Sequence, residues 1–226
     1  MAFFKRICRK LLTQLPSLTK AGRSILDAFW SIWGRLGIPT NLQVDNAMTF
    51  CGSPIHLRSM SPLIRFCLLY GVELWFIPLA EPWRNGAIEK FNDHYRQRFL
   101  DKVSMTSDAE LRIGSMAFEE RHNHSYRYSK LGGKTPANAL AASLETLRFP
   151  PAEPAPRLPL TKPETGRYHL VRLIRSDRKL NIFSELFSVS PDLMYEYVVA
   201  TIDVKEQKLK VFLDNNQVDQ FDYRLR

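Results

Sequence analysis

The stretch FPPAEPAPRLPLTKPE, residues 149–164, holds six of the chain's fourteen prolines. Proline fixes φ and has no N–H to donate, so a run this dense forms neither a helix nor a sheet interior and reads as extended chain. It divides 226 residues into two regimes. Before it, helical periodicity alternates with short apolar strands; after it, short strands follow one another with turns between. The organisation expected is a basic segment 1–19, an α/β unit 20–148, an extended linker 149–165 and an all-β unit 166–226.

In the first regime, Ile25, Leu26, Phe29, Trp30, Trp33 and Leu36 share one face of a helix over 24–36, with Ser24 and Asp27 at capping-box spacing. Gly37 and Pro39 stop it. Asn41 to Val44 is a strand that delivers Asp45. Ser61-Pro62 opens a second helix, closed at Gly71, and Val72 to Ile77 is the next strand. After the loop LAEPWRNG a helix is predicted from about Ala87 to Leu100. Ser107 and Glu110 open another, to about Asn123. Such alternation predicts α/β architecture with parallel strands. In the second regime, strands are predicted at 168–175, 180–189, 195–203, 208–213 and 217–224, a spacing that predicts a small β-barrel.

The net charge is +9, yet residues 1–23 alone carry six Lys/Arg and no acid. The two regimes are nearly neutral, so charge by itself is weak evidence for a nucleic-acid partner. The opening MAFFKRICRKLL alternates apolar and basic pairs at helical period; DNA, a membrane surface, an organelle-import role and docking on its own domain all fit it. Apolar residues make up 45% of the chain, which excludes wholesale disorder. No apolar run approaches the ~20 residues of a membrane span. Cys8, Cys51 and Cys67 form no C-x-x-C pair, so neither a disulfide framework nor structural zinc is expected, and a reducing, cytoplasmic setting fits.

Two carboxylates stand at positions where sites form. Asp45, in LQVDNAMTF, follows the carboxyl end of a strand. Glu89, in PWRNGAIEKFN, falls near a helix N-terminus, where the macrodipole favours the anion. Hard oxygen donors with open positions suit Mg²⁺ or Mn²⁺ and in-line attack on a phosphodiester. By spacing alone, a turn at Asp45-Asn46 and a solvated helix face at Glu89 are the favoured explanations of the two. His122 and His124, two apart, do not share a helical face and make no metal pair. Gly132-Gly133 reads as a turn. Tyr168, Phe183, Phe187, Tyr197, Phe212 and Tyr223 read as alternating core positions, with base stacking the alternative.

The segments GIPTNLQVDNAMTF, GVELWFIPLAEPWRNGAIEKFNDHYRQRFL and RYSKLGGKTPANAL together resemble the catalytic core of DDE transposases and retroviral-type integrases, bacterial insertion-sequence transposases in particular. The likeness covers about residues 20–140. The tail from Gly166 resembles the small barrel of Mu-type transposases. The resemblance implies a truncated RNase H-like α/β core followed by a small all-β barrel, and metal-dependent DNA cleavage and strand transfer. It implies Asp45 and Glu89 as catalytic metal ligands, Asn85-Gly86 as the turn launching the Glu89 helix, and Lys90 as a contact to DNA phosphates. Arg84, Arg96 and Arg98 are weaker DNA candidates, for which a solvated helix face is the simpler reading. Ala47 stands where the family usually has Gly.

That pattern also needs a first Asp on an upstream strand. No Asp or Glu precedes Asp27, which reads as a helix cap. The expectation is a core short of three strands and one carboxylate, weak Mg²⁺ or Mn²⁺ binding and impaired catalysis, with DNA ends, target DNA and a full-length homo-oligomeric partner as associates. The alternatives are a non-catalytic DNA-binding or interfering fragment and a decayed remnant.

Overall fold

The computed structural model describes residues 22–52, 56–81, 86–142 and 146–226. The basic segment 1–19, Cys8, Arg84 and Asn85 lie outside them. The first helix, α1, spans Gly22–Leu36. Ser24 is thus inside the helix rather than at its cap, and Asp27 pairs with Arg23 one turn back at 3.0 Å, not with a backbone N–H. Strand β1 (Asn41–Val44) leads into a single turn of helix, α2 (Met48–Cys51). Helix α3 (Pro62–Leu69) starts as its sequence dictates: Ser61 Oγ accepts from Ile64 N–H, and Pro62 occupies the first turn. Strand β2 (Glu73–Phe76), α4 (Gly86–Arg98), α5 (Asp108–Ser125) and the short α6 (Pro136–Ala141) follow.

Beyond the proline-rich segment come β3 (Arg167–Leu173), β4 (Lys179–Ile182), β5 (Glu185–Ser188), β6 (Tyr197–Asp203), β7 (Lys208–Leu213) and β8 (Asn216–Asp222). The strand expected over 180–189 is instead a hairpin, β4–β5, turning at Phe183 and Ser184, both with positive φ. The turn is one phenylalanine and one serine, with neither glycine nor proline to mark it, so continuous alternation concealed it.

The small barrel expected over 166–226 is not closed among the described residues. Its strands instead extend the sheet of the first regime, in the order β1-β2-β3-β6-β7-β8. β1 and β2 are parallel, and β3 is parallel to β2, placing Leu74, Trp75 and Phe76 opposite Tyr168, His169 and Leu170. From β3 onward the ladder is antiparallel. The apolar pattern selects this register: Leu74, Phe76, Tyr168, Leu170, Ala200, Ile202, Leu209 and Val211 fall on one face and are buried. They share a core with Leu26 and Trp33 of α1, with Ile64 and Phe66 of α3, and with Leu180 and Ile182 of the hairpin. Trp33 stacks on Phe66, ring centroids 4.6 Å apart. Gly166 allows the tail to begin there, since a Cβ at this position would stand 2.9 Å from Leu68 Cδ2.

Residues 149–165 are extended but laid against the domain. Three long side chains hold their backbone carbonyls. Trp30 Nε1 donates to Glu153 O (2.8 Å), Arg23 Nη1 to Pro156 O (2.9 Å) and Arg65 Nη1 to Leu160 O (3.0 Å). Ala155 and Leu160 are buried beneath them.

A second, separate aromatic cluster holds α4 to α5: Phe91, Tyr95 and Phe99 against Phe118. Gly114 makes room for it, as a Cβ there would lie 2.5 Å from the Phe99 ring. His122 is sandwiched in this cluster, stacked on Tyr126 (4.8 Å) and bonded through Nε2 to Tyr128 Oη (2.8 Å). Burial, His94 and Arg98 together draw its pKa down to about 4. An ion pair at 3.3 Å, Arg35 to Glu119, joins α1 to α5. Among the described residues, no helix is long and apolar enough to cross a membrane.

Candidate active site

Three parallel strands, β1, β2 and β3, end at the same edge of the sheet, the edge where α/β proteins form sites. Asp45 follows the last residue of β1 and is exposed. Its Oδ1 accepts from Ala47 N–H at 3.0 Å. This short side-chain turn swings the chain from strand into α2. The next residue is tied inward. Asn46 Nδ2 donates to Ile77 O (2.7 Å), just past the end of β2, and Asn46 Oδ1 accepts from Arg172 Nη2 (2.9 Å).

Arg172 lies on β3, on the same face as Tyr168 and Leu170, and only 4% of its surface is exposed. It also donates to Ile77 O (3.2 Å), Val171 O (2.9 Å) and Asn181 O (3.0 Å). Burial lowers its pKa to about 10, still far above neutrality. Cys51 sits near both Asp45 and Arg172. Burial and the Asp45 charge push its thiol up and Arg172 opposes them, leaving it at about 11 and protonated at neutral pH. Farther along the edge, buried Glu81 accepts from Tyr197 Oη at the start of β6.

Glu89 occupies the first turn of α4 and is exposed, as are Lys90, Arg96 and Arg98. Arg96 leans toward Asp93 at 3.8 Å, a solvated pair of little energetic weight. Burial, with Arg98 and Lys90 flanking it along one helix face, lowers the pKa of His94. A cleft of about 220 Å³ between α4 and α5 is lined by Arg98, Phe118, Arg121, His122, Ser125 and Tyr126. A larger one of about 320 Å³ lies at the opposite end of the strands, around Gly71, Glu73, Gly166 and Asp203, away from Asp45.

Asp45 and Glu89 therefore stand on different supports, the main sheet and the α4–α5 pair. Among the described residues, no hydrogen bond or ion pair links them. Both offer hard oxygen donors with room for water and a phosphate oxygen, the donor chemistry of Mg²⁺ or Mn²⁺. Among the described residues, no group of three or more His, Cys, Asp and Glu side chains is placed to hold a metal ion. His122 is committed to its aromatic cluster, and His124 pairs with Glu120 at 3.0 Å. Tyr168 and Tyr223 are fully buried core rather than stacking platforms.

The sequence reading missed Arg172, Glu81 and the anchoring role of Asn46. For Arg172 one signal exists: alternation from Tyr168 through Leu170 puts it on the inward face.

Residues 70–136 match the Integrase core domain family. No curated protein matches the chain. The matched segment is similar to retroviral-integrase-like core sequence. It runs from the end of α3 to the start of α6, and contains Glu89, Lys90, Arg96 and Arg98 but not Asp45. An integrase core implies an RNase H-like α/β fold, and the mixed sheet with flanking helices agrees with that class. The match supports an integrase- or transposase-like role in mobile DNA.

Proposed function

We propose that the chain is a transposase-type protein of a mobile DNA element, with Asp45 and Glu89 as its catalytic carboxylates. The observation that carries this reading is the position of Asp45. It is delivered by a parallel strand to the carboxyl edge of the sheet, just upstream of a segment of integrase-core sequence bearing a Glu in the first turn of a helix. A divalent ion, Mg²⁺ or Mn²⁺, would be held by Asp45 and Glu89 and would supply stabilisation of developing charge on a phosphodiester. The protein's own contribution is to keep both carboxylates exposed, Asp45 oriented by the Ala47 N–H and Glu89 presented from the first turn of α4. Lys90, Arg96 and Arg98 on the same helix, together with Arg84 just before it, fit contacts to DNA phosphates. The core segments resemble insertion-sequence transposases. Such proteins work on element ends and target DNA as oligomers.

A second reading, a DNA-binding protein without turnover, is favoured by one observation: the described residues assemble no three-ligand group. Two-metal phosphoryl transfer needs a ligand bridging both ions, and among the described residues no third carboxylate joins Asp45 or Glu89 in such a group. The expected result for the isolated 226-residue chain is no strand transfer of labelled pre-cleaved ends in Mg²⁺, at most a trace in Mn²⁺, and DNA binding that weakens steeply with salt. Joining in Mg²⁺ that Glu89→Gln and Asp45→Asn each abolish would establish catalysis by this chain and remove the second reading. Absence of any salt-sensitive DNA binding would remove both.

A further inference from the structure

A buried guanidinium needs compensation, and in proteins this is usually a carboxylate. Arg172 has none among its hydrogen-bond partners in the described residues. Four donations go instead to neutral oxygens: Asn46 Oδ1, Ile77 O, Val171 O and Asn181 O. Three of these belong to other segments, namely the corner after β1, the end of β2 and the end of β4. Its neighbours on the same sheet face, Tyr168, Leu170 and Val198, are fully buried. An apolar side chain would fill that place without the desolvation cost, so packing alone does not account for an arginine here.

Asn46 explains what the charge does. Its amide is used at both ends, Oδ1 toward Arg172 and Nδ2 toward Ile77 O, which fixes the side chain in one orientation. Asn46 adjoins Asp45, whose carboxylate is itself tied to Ala47 N–H. Fixing Asn46 therefore fixes the backbone corner from which Asp45 projects. Because Ile77 O accepts from both Asn46 and Arg172, the corner is referenced to the end of β2 as well.

We propose that Arg172 is a positioning residue of the candidate active site: the tail strand β3 supplies a buried guanidinium that locks the Asp45–Asn46 corner and so aims the Asp45 carboxylate. The consequence is that residues after the proline-rich segment complete the site rather than accompany it. The functional weight of this inference rests on the reading of Asp45 given under the proposed function, while its geometric content does not.

The test uses the 226-residue chain labelled with ¹⁵N, comparing wild type with Arg172→Met, Arg172→Lys, Asn46→Ala and the double variant Arg172→Met/Asn46→Ala. Backbone order parameters of Asp45, Asn46 and Ala47 are read against those of β6. In wild type the corner is expected to be as rigid as the sheet, about 0.85. In Arg172→Met it falls below about 0.6 while β6 is unchanged. Asn46→Ala produces the same fall and the double variant no more, because Arg172 acts through Asn46. Arg172→Lys, which keeps the charge but not the planar fork, lies between.

A corner that stays rigid in Arg172→Met, or loosens only in step with β6, overturns the proposal, as does full additivity with Asn46→Ala. If Arg172→Met does not fold, Arg172→Lys is judged by the same comparison with β6. A parallel Mn²⁺ titration separates the two readings. Broadening of the Ala47 amide signal is expected in wild type, lost in Asp45→Asn, and at least about tenfold weaker in apparent affinity in Arg172→Met, the scale of a hydrogen bond to a charged group. If wild type shows no broadening that depends on Asp45, the metal role of Asp45 fails, and the order parameters still decide the role of Arg172.

Discussion

The two candidate carboxylates are supported in opposite ways. Asp45 grows out of a six-stranded sheet whose core spans both halves of the sequence. Glu89 stands on α4, which packs through four buried aromatic residues on α5, and it is α5 that the Arg35–Glu119 pair ties to α1. The first support depends on chain segments far apart in sequence, the second almost wholly on residues 86–128. A shift in one region need not be felt in the other, so the geometry between the carboxylates is set by the weaker support.

The largest test of this contrast is a pair of cavities. Phe76→Ala, at a fully buried site in β2, is expected to cost about 3–5 kcal/mol and to lower the single melting transition of the whole chain. Phe118→Ala is expected to act locally, speeding amide exchange in α4 and α5 while the β6–β7 ladder keeps its protection. Equal loss of protection in both regions would show that the two supports are one cooperative unit.

Acid provides the next test. His122 is held neutral in the fold, its pKa down at about 4 from an ordinary 6.5. The folded state therefore binds fewer protons than the unfolded one between these values. The stabilisation is complete above pH 6.5 and is lost as pH falls toward 4. By size of shift this amounts to roughly 3–4 kcal/mol. Glu119 opposes it, since burial raises its pKa and protonation at low pH relieves that cost. The α4–α5 pair should loosen before the sheet on acidification, followed by amide exchange at pH 7 and pH 4.5. His122→Phe should remove most of the difference.

Gly114→Ala probes the same helix pair sterically. Helix propensity alone would favour alanine by about 1 kcal/mol. The new methyl, however, would meet the Phe99 ring at 2.5 Å, and overpacking costs about 1–3 kcal/mol. Net destabilisation is expected, read as faster exchange in α5; a stabilised α5 would mean that Phe99 is free to move aside.

The smallest effect belongs to the sheet side. Trp30→Phe removes one donor to the proline-rich segment, Trp30 Nε1 to Glu153 O, worth about 0.5–1.5 kcal/mol. Its readout is the rate of limited proteolysis within 149–165, which should rise. If the β2–β3 pairing governs cohesion, the cut halves will stay together on a sizing column. Release of a folded 166–226 fragment would instead mark the tail as an independent domain.

Local chemistry made most elements readable from sequence. Ser61-Pro62, Ser107 with Glu110, and Gly71 announced their helix ends, and strand alternation from β1 to β8 placed nearly every strand within two or three residues. Pairing between distant segments was not readable. Nothing local to Tyr168–Leu170 states that its partner is Leu74–Phe76 rather than a strand of its own barrel. Asp45 and Glu89 stood out because their positions follow from local elements. Arg172 did not, because its meaning lies wholly in partners that three other segments bring to it.

The parallel pairing of β2 with β3 also has a consequence in time. About 90 residues separate the two strands, so on the ribosome β2 presents an unpaired edge until the chain through Leu173 has emerged. At ~5–20 residues per second that is an interval of roughly 5–20 s. During it the α4–α5 pair, whose contacts are close in sequence, has time to form. Synthesis thus runs in an order that leaves the nascent sheet, and with it the Asp45 corner, to be finished last.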